Sequence, residues 1–280
     1  MYPLGMSALN SGITPESGFT YSNQLLFYFR NQSKGNDGAT LPAGGSNSVL
    51  MDLNSFVWVG PWNILGGARY SAIATLPFAN NDLTSDIHGN ISGGRGFADS
   101  YFVPFVLGWS GQRFSSRILY GVLAPTGSFS AGANNNVGSG YWTHAVSSGQ
   151  TLYLEDGNTI ALSAFEMYEH HTTQESTRTH PGDTFDLDYS LVKTFALHSG
   201  VMRLQIGIVG YEQRQITAKT GSAITVHQST ERYAVNAIGL TSNVAMPRHN
   251  LNLGVKYLKE FANRATFQGF SLQVSAGVSF

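Results

Sequence analysis

The sequence predicts an all-β fold, a 12-stranded antiparallel transmembrane β-barrel with short periplasmic turns and longer extracellular loops. Three observations carry this: side-chain polarity alternates with period two over segments of about 10 to 13 residues, charge is scarce, and short and long polar connections alternate along the chain. Charged residues fill 12% of the 280 positions, against ~25% in ordinary soluble domains. Hydrophobic residues reach only 42% and mean hydropathy is -0.09, so Gly, Ser, Thr, Asn and aromatics take the vacated places. No stretch approaches the ~20 consecutive apolar residues that a spanning helix needs. With 17 Phe, 13 Tyr and 4 Trp the chain is also too aromatic for a disordered one. The absence of cysteine excludes disulfides, thiolate metal sites and Cys nucleophiles, and a net charge of -1 gives no bulk attraction to nucleic acid.

The elements follow in order. Strand 19–30 sets Phe19, Tyr21, Asn23, Leu25, Phe27 and Phe29 on one face and Thr20, Ser22, Gln24, Leu26, Tyr28 and Arg30 on the other. Strands 49–59 and 63–76 flank a sharp link at Gly60-Pro61-Trp62, and 98–109 and 113–124 flank Ser110-Gly111-Gln112. Parity requires a short strand at 148–155, ended by Asp156-Gly157-Asn158; without it two long loops would adjoin. Strand 159–170 follows, then 183–194, which closes on Leu197-His198-Ser199-Gly200. Strand 201–216 alternates Met202, Leu204, Ile206 and Ile208 with Arg203, Gln205 and Gly207. Strands 228–240 and 250–261 surround a link within 242–249, and 268–280 ends on alternating Leu272, Val274, Ala276, Val278 and Phe280. Long polar links at 31–48, 77–97, 125–147, 171–182, 217–226 and 262–267 are the extracellular loops. The strands exceed the ~5 to 6 residues typical of soluble sheets, and aromatics such as Phe19, Phe29, Tyr101, Trp109, Tyr189 and Phe270 fall near strand ends, where membrane girdles sit. A soluble β-sandwich is the remote alternative. Residues 1–18, with little periodicity, form an N-terminal segment that lies in the periplasm or in the lumen; residues 19–280 form the barrel. The segment Met1-Tyr2-Pro3-Leu4-Gly5 is unlike a signal peptide, so such a signal is expected to be absent or removed, with Met1 introduced.

The final strand, closing on Phe280, looks like the terminal aromatic strand that bacterial outer-membrane proteins present to their assembly machinery. More specific segments are Tyr120-Gly121-Val122-Leu123-Ala124-Pro125-Thr126-Gly127, Pro181-Gly182-Asp183 before Asp186-Leu187-Asp188-Tyr189, Gly210-Tyr211-Glu212-Gln213-Arg214-Gln215, and Lys259-Glu260-Phe261-Ala262-Asn263-Arg264 with Gln268-Gly269. In this order and spacing they resemble the outer-membrane channels associated with meta-pathway phenol degradation. The resemblance spans nearly the whole chain. It implies a single-domain outer-membrane barrel that passes small, often aromatic or hydrophobic, compounds.

With the greasy face toward lipid, the opposite phase lines the lumen. Arg69, Arg117, Arg203 and Lys256 then project inward, joined by Gln24, Gln205, Asn252 and Gln273, with Asp186, Asp188 and Glu260 as counter-charges. An excess of Arg in such a pore favours anions or the polar edges of aromatic acids. The competing reading is that these groups pair across the lumen as a structural network. Neither a catalytic nor a metal site is expected, and no cofactor. His170 and His171 are adjacent, hence on opposite strand faces, and chelate poorly even with His180 beyond. A lipid-modifying, phospholipase-like barrel would need a His-activated Ser; Tyr141-Trp142-Thr143-His144 with Ser147 and Ser148 is the nearest grouping and lacks an orienting acid. Gly93-Gly94-Arg95-Gly96 lacks the ending and helix of a phosphate loop. The expectation is a monomeric channel for passive diffusion of small molecules, in contact with outer-membrane lipid and a small permeant, with no nucleic-acid partner. The loops 77–97 and 125–147 are expected to fold in at its mouth. A structural barrel with a plugged lumen is the other alternative.

Overall fold

A computed structural model describes residues 2–42, 44–198 and 201–280. Among them run thirteen strands: β1 (Gly18–Lys34), β2 (Gly45–Ile64), β3 (Ala68–Ser85), β4 (Gly89–Phe97), β5 (Ser100–Ser110), β6 (Phe114–Ala124), β7 (Thr143–Tyr153), β8 (Ile160–His171), β9 (Thr184–Leu197), β10 (Met202–Gln215), β11 (Ala234–Met246), β12 (Leu251–Glu260) and β13 (Thr266–Ser279). Each pairs antiparallel with its neighbour, β3 skips to β5, and β13 returns to β1 with Thr20 opposite Ser279, so twelve strands close a barrel. β4 pairs only with the upper half of β3 and projects beyond the wall as a hairpin.

The predicted phase holds. Leu25 is 44% exposed while its neighbour Leu26 is fully buried. Outward rings form two girdles. Phe19 packs on Phe280 (6.2 Å between centroids) and Trp58 on Trp62 (6.2 Å) at the short-turn end, which the loop-length rule makes periplasmic. Phe29 packs on Phe270 (5.9 Å) near the long-loop end. Outward carboxylates, Asp52 and Glu166 among them, interrupt the apolar belt between the girdles. Asp52 accepts from Asn23 Nδ2 (2.5 Å), and Glu166 accepts from Ser148 Oγ (2.8 Å), so each keeps a hydrogen-bond partner on the wall itself.

Several boundaries differ from those read in the sequence. β2 runs through Pro61, which an irregularity between Val59 and Asn63 absorbs; the turn comes later, at Leu65-Gly66-Gly67, all three at positive φ. The segment 77–97, expected as a folded-in loop, is instead the top of β3 with β4. β7 begins five residues before the expected 148. β11 begins later than 228 because Val226–Thr230 forms a helical turn, closed by reciprocal Thr225 and Gln228 caps, and it continues to Met246, where Pro247 stops it. The expected turn at Leu197-His198-Ser199-Gly200 includes Ser199 and Gly200, which lie outside the described residues, as does Met1.

Residues 2–17 climb through the barrel from the periplasmic end. Pro15 accepts from Arg69 Nη1 (2.8 Å) low on β3, Gly12 donates to Thr151 Oγ1 (3.0 Å) on β7, and Ala8 accepts from Ser190 Oγ (2.6 Å) on β9. At the top the Tyr2 amide donates to Glu169 Oε1 (2.9 Å). Tyr2, Leu4 and Ala8 join the lumenal core with Val103, Leu119, Phe165, Met167, Val209 and Leu258. The wall is shaped for this contact. A Cβ at Gly149 would overlap the Ser11 carbonyl, and one at Gly108 would overlap the Thr14 hydroxyl. Gly149→Val is therefore expected to displace the segment while leaving the ladder intact, read as faster proteolysis of residues 2–17 with unchanged heat-modifiable migration.

Candidate permeation pathway and its plug

Above the N-terminal segment lies a cavity of about 270 Å³. Met51, Leu53, Pro77, Leu123 and Met167 form its apolar wall, Tyr101 its side and Tyr2, Pro3 and Met6 its floor. These wall positions are the inward phase of β2, β3, β6 and β8. The loop between β6 and β7 closes over it through Asn136–Ser139 and Tyr141. Asp99 holds that loop by accepting from the amides of Gly127 (3.0 Å) and Ser139 (2.7 Å) and from Ser139 Oγ (2.6 Å). Burial, with Glu169 and Asp99 nearby, pushes the Tyr141 phenol well above its ordinary pKa, so it stays neutral in the mouth. An apolar cavity of about 150 Å³ already binds benzene, so this volume suits a one-ring compound. Below the segment a second, polar basin of about 600 Å³ opens toward the short-turn end, lined by Asn10, Arg203, Gln205, Asn243 and Asn252 among others.

Of the residues expected to line a pore, Asp188, Lys256, Gln273, Gln205 and Arg69 meet the N-terminal segment through hydrogen bonds, and among the described residues the others do not. Asp188 accepts from Tyr2 OH (2.7 Å) and from the amides of Gly5 (2.9 Å) and Ser7 (3.0 Å). Lys256 Nζ donates to the carbonyls of Gly5 (2.7 Å) and Met6 (3.0 Å). Gln273 Nε2 donates to the Leu4 carbonyl (2.8 Å), and Asn10 Nδ2 donates to Gln205 Oε1 (3.2 Å). Arg69 holds Pro15, and Arg203 lines the basin. Asp186 is fully buried and accepts from Gln213 Nε2 (2.6 Å). Glu260 pairs with Arg30 (2.7 Å) and also accepts from Tyr211 OH (2.9 Å) and the Gly269 amide (2.9 Å). The Nε of Arg117 is buried without a hydrogen-bond partner among the described residues, and Gln24 lies on the half-buried inner face of β1. Sequence reasoning did not single out Arg30, Glu169, Tyr211 or Tyr2; the inward phase of β1, β8 and β10 carries the first three, and nothing periodic marks Tyr2.

The constellation weighed for lipid hydrolysis does not assemble. His144 Nδ1 shares a hydrogen bond with Tyr120 OH (2.8 Å), Ser148 donates to Glu166, and Ser147 points to the other face, into the lumen. The Gly93–Gly96 run is strand β4. One grouping was missed. His170 does not chelate with its neighbour His171, which turns inward to Thr143 (2.8 Å), yet it converges with His180 and Asp183.

The chain resembles solved outer-membrane barrels. Against the COG4313 outer membrane channel from Pseudomonas putida F1 it superposes with a TM-score of 0.78 at 11% identity, covering 97% of this chain and 98% of that one. Against the beta domain of the Bordetella autotransporter BrkA the TM-score is 0.59 at 15% identity, covering 95% and 100%. At these identities the likeness concerns the fold. Comparison with curated proteins gives no match. Residues 30–276 match the family described as "Putative MetA-pathway of phenol degradation". The chain thus belongs to that phenol-degradation family, as a closed twelve-stranded barrel with its N-terminal segment threaded through the lumen.

Proposed function

We propose that the protein is a monomeric channel of the bacterial outer membrane. It passes small aromatic or hydrophobic molecules passively. The observation that carries this reading is the apolar cavity beneath the extracellular loops, whose floor is the segment around Tyr2, Pro3 and Met6, held by hydrogen bonds and not by the wall's own ladder. Apolar surface leaving water supplies about 25 cal/mol per Å², which concentrates a ring compound in the cavity. Release of the floor then joins the cavity to the polar basin. Membership of the family and likeness to a barrel described as an outer membrane channel support the same reading. The lumenal polar residues act here as clamps on the plug, with Arg69, Arg117 and Arg203 free to set ion preference once it moves.

A specific observation favours a second exit. Beside the cavity the β3–β5 seam carries Pro77 and Pro104, and its register shifts between Ser71 and Ile73 and, against β6, between Phe102 and Phe105. Proline donates no ladder hydrogen bond, so this seam is a weak part of the wall through which an apolar permeant could pass into the bilayer.

The test is paired: single-channel conductance of the refolded protein in a planar bilayer under a salt gradient, and toluene uptake by cells carrying it. Saturable toluene uptake supports the proposal; none above cells lacking the protein overturns it. Arg203→Glu is expected to shift the reversal potential of open events toward cations, and an unchanged potential would remove Arg203 from the ion path.

A further inference from the structure

We propose that His170, His180 and Asp183 form a binding site for a divalent transition-metal ion on the extracellular rim. Each reaches the site from a separately pinned stretch of backbone. His170 is on the outward face at the end of β8. The register that pairs Glu169 with Thr184 sets Asp183, one residue before β9, beside it. His180 is fixed by a two-way backbone bridge to Thr220, its amide donating at 2.8 Å and its carbonyl accepting at 3.0 Å. Their ligand atoms all lie within 4.8 Å of one another. His170 Nδ1 is 3.0 Å and His180 Nε2 3.9 Å from Asp183 Oδ1. Bonds of about 2.0 to 2.1 Å to a tetrahedral zinc put ligand atoms roughly 3.3 Å apart, so small side-chain rotations close the set.

The surroundings fit a metal ligand shell. Asp183 Oδ2 accepts from Tyr168 OH (2.8 Å), which orients the carboxylate and leaves Oδ1 toward the rings. The Asp183 amide is held by Thr217 Oγ1 (2.7 Å). The side chain of His170 is 51% exposed and that of Asp183 9%, so the site is anchored on the protein side and open to a water ligand on the other. Two imidazoles with one carboxylate select zinc, copper, nickel or cobalt over calcium and magnesium, which take oxygen ligands. The Gly182 amide donates to His180 Nδ1 (3.1 Å) in the free site. Ligation through Nε2 places the ring proton on Nδ1, so that contact opens as the ion enters. Once bound, the ion ties the end of β8 to the loop 172–183 and, through the Thr220 bridge, to the loop 216–233. It is a staple along the rim of the barrel.

The experiment is titration of the metal-free, detergent-solubilised full chain with zinc chloride by calorimetry, with magnesium chloride as comparison. Expected is one equivalent of bound zinc, no magnesium binding, and affinity at least ~10-fold weaker in both His170→Ala and His180→Ala. Absence of saturable zinc binding, or equal affinity in the double variant, overturns the proposal. Cobalt on the unaltered protein gives a second readout: intense visible bands of a four- or five-coordinate ion support the site, and weak six-coordinate bands overturn it.

Discussion

Asp188→Ala is expected to raise the open probability of the channel about 100-fold in planar bilayers. Asp188 is fully buried and receives three donors from residues 2–7. Hydrogen bonds to a charged group contribute roughly 1.5 to 3 kcal/mol each, and they do not add fully because the three share one carboxylate. Even a net loss of about 3 kcal/mol shifts the held-to-released ratio ~10²-fold. Lys256→Met removes the clamp from β12, at the Gly5 and Met6 carbonyls, and should act in the same direction. The double variant should gain less than the product of the two, since both residues grip one short segment. Deleting residues 2–10 should give the fully open conductance. Wild-type conductance in all of these would mean that the segment does not gate ions. The same variants separate the two exits: toluene uptake rises with ion conductance if the permeant crosses the lumen, and stays unchanged if it leaves through the β3–β5 seam.

Met51→Arg is expected to lower toluene uptake by at least ~10-fold while single-channel conductance in salt changes little. Met51 borders the cavity from β2, and it also borders a neighbouring space of about 390 Å³ lined by Tyr28, Arg30 and Val49. Arginine there fills volume and brings a charge whose hydration competes with an apolar guest. A ring compound that buries about 100 Å² gains ~2.5 kcal/mol in the cavity at 25 cal/mol per Å², and most of this is lost. Met51→Leu keeps shape and polarity and should keep uptake. Equal uptake in Met51→Arg would show that the cavity is not on the route.

Much of the fold was legible because a strand's phase is local. Leu25 and Leu26 are both leucine, yet the residues two positions to either side predict that one meets lipid and the other the lumen, and their burial follows. Strand number was legible through loop parity, including β7, whose small residues Ser147, Ser148 and Gly149 carry no hydrophobic signal. Ends were less legible. Pro61 and Gly60 read as a turn, but a wide enough irregularity in the pairing lets β2 pass through them. The capping pair Thr225 and Gln228 was visible in the sequence, and weighing it would have moved the start of β11.

The sequence by itself determined that this is a closed, lipid-facing β-barrel and which side chains line its interior, because period-two geometry fixes the face of every residue from its immediate neighbours. Only the tertiary structure decided what those side chains touch. Tyr2, Gly5 and Ser7 find Asp188 more than 180 positions away, and His180 meets His170 through the register of β8 with β9 and a bridge to Thr220. Residues 2–17 have no period because their partners come from strands all around the barrel, and a contact with many distant strands leaves no local pattern in the chain that makes it.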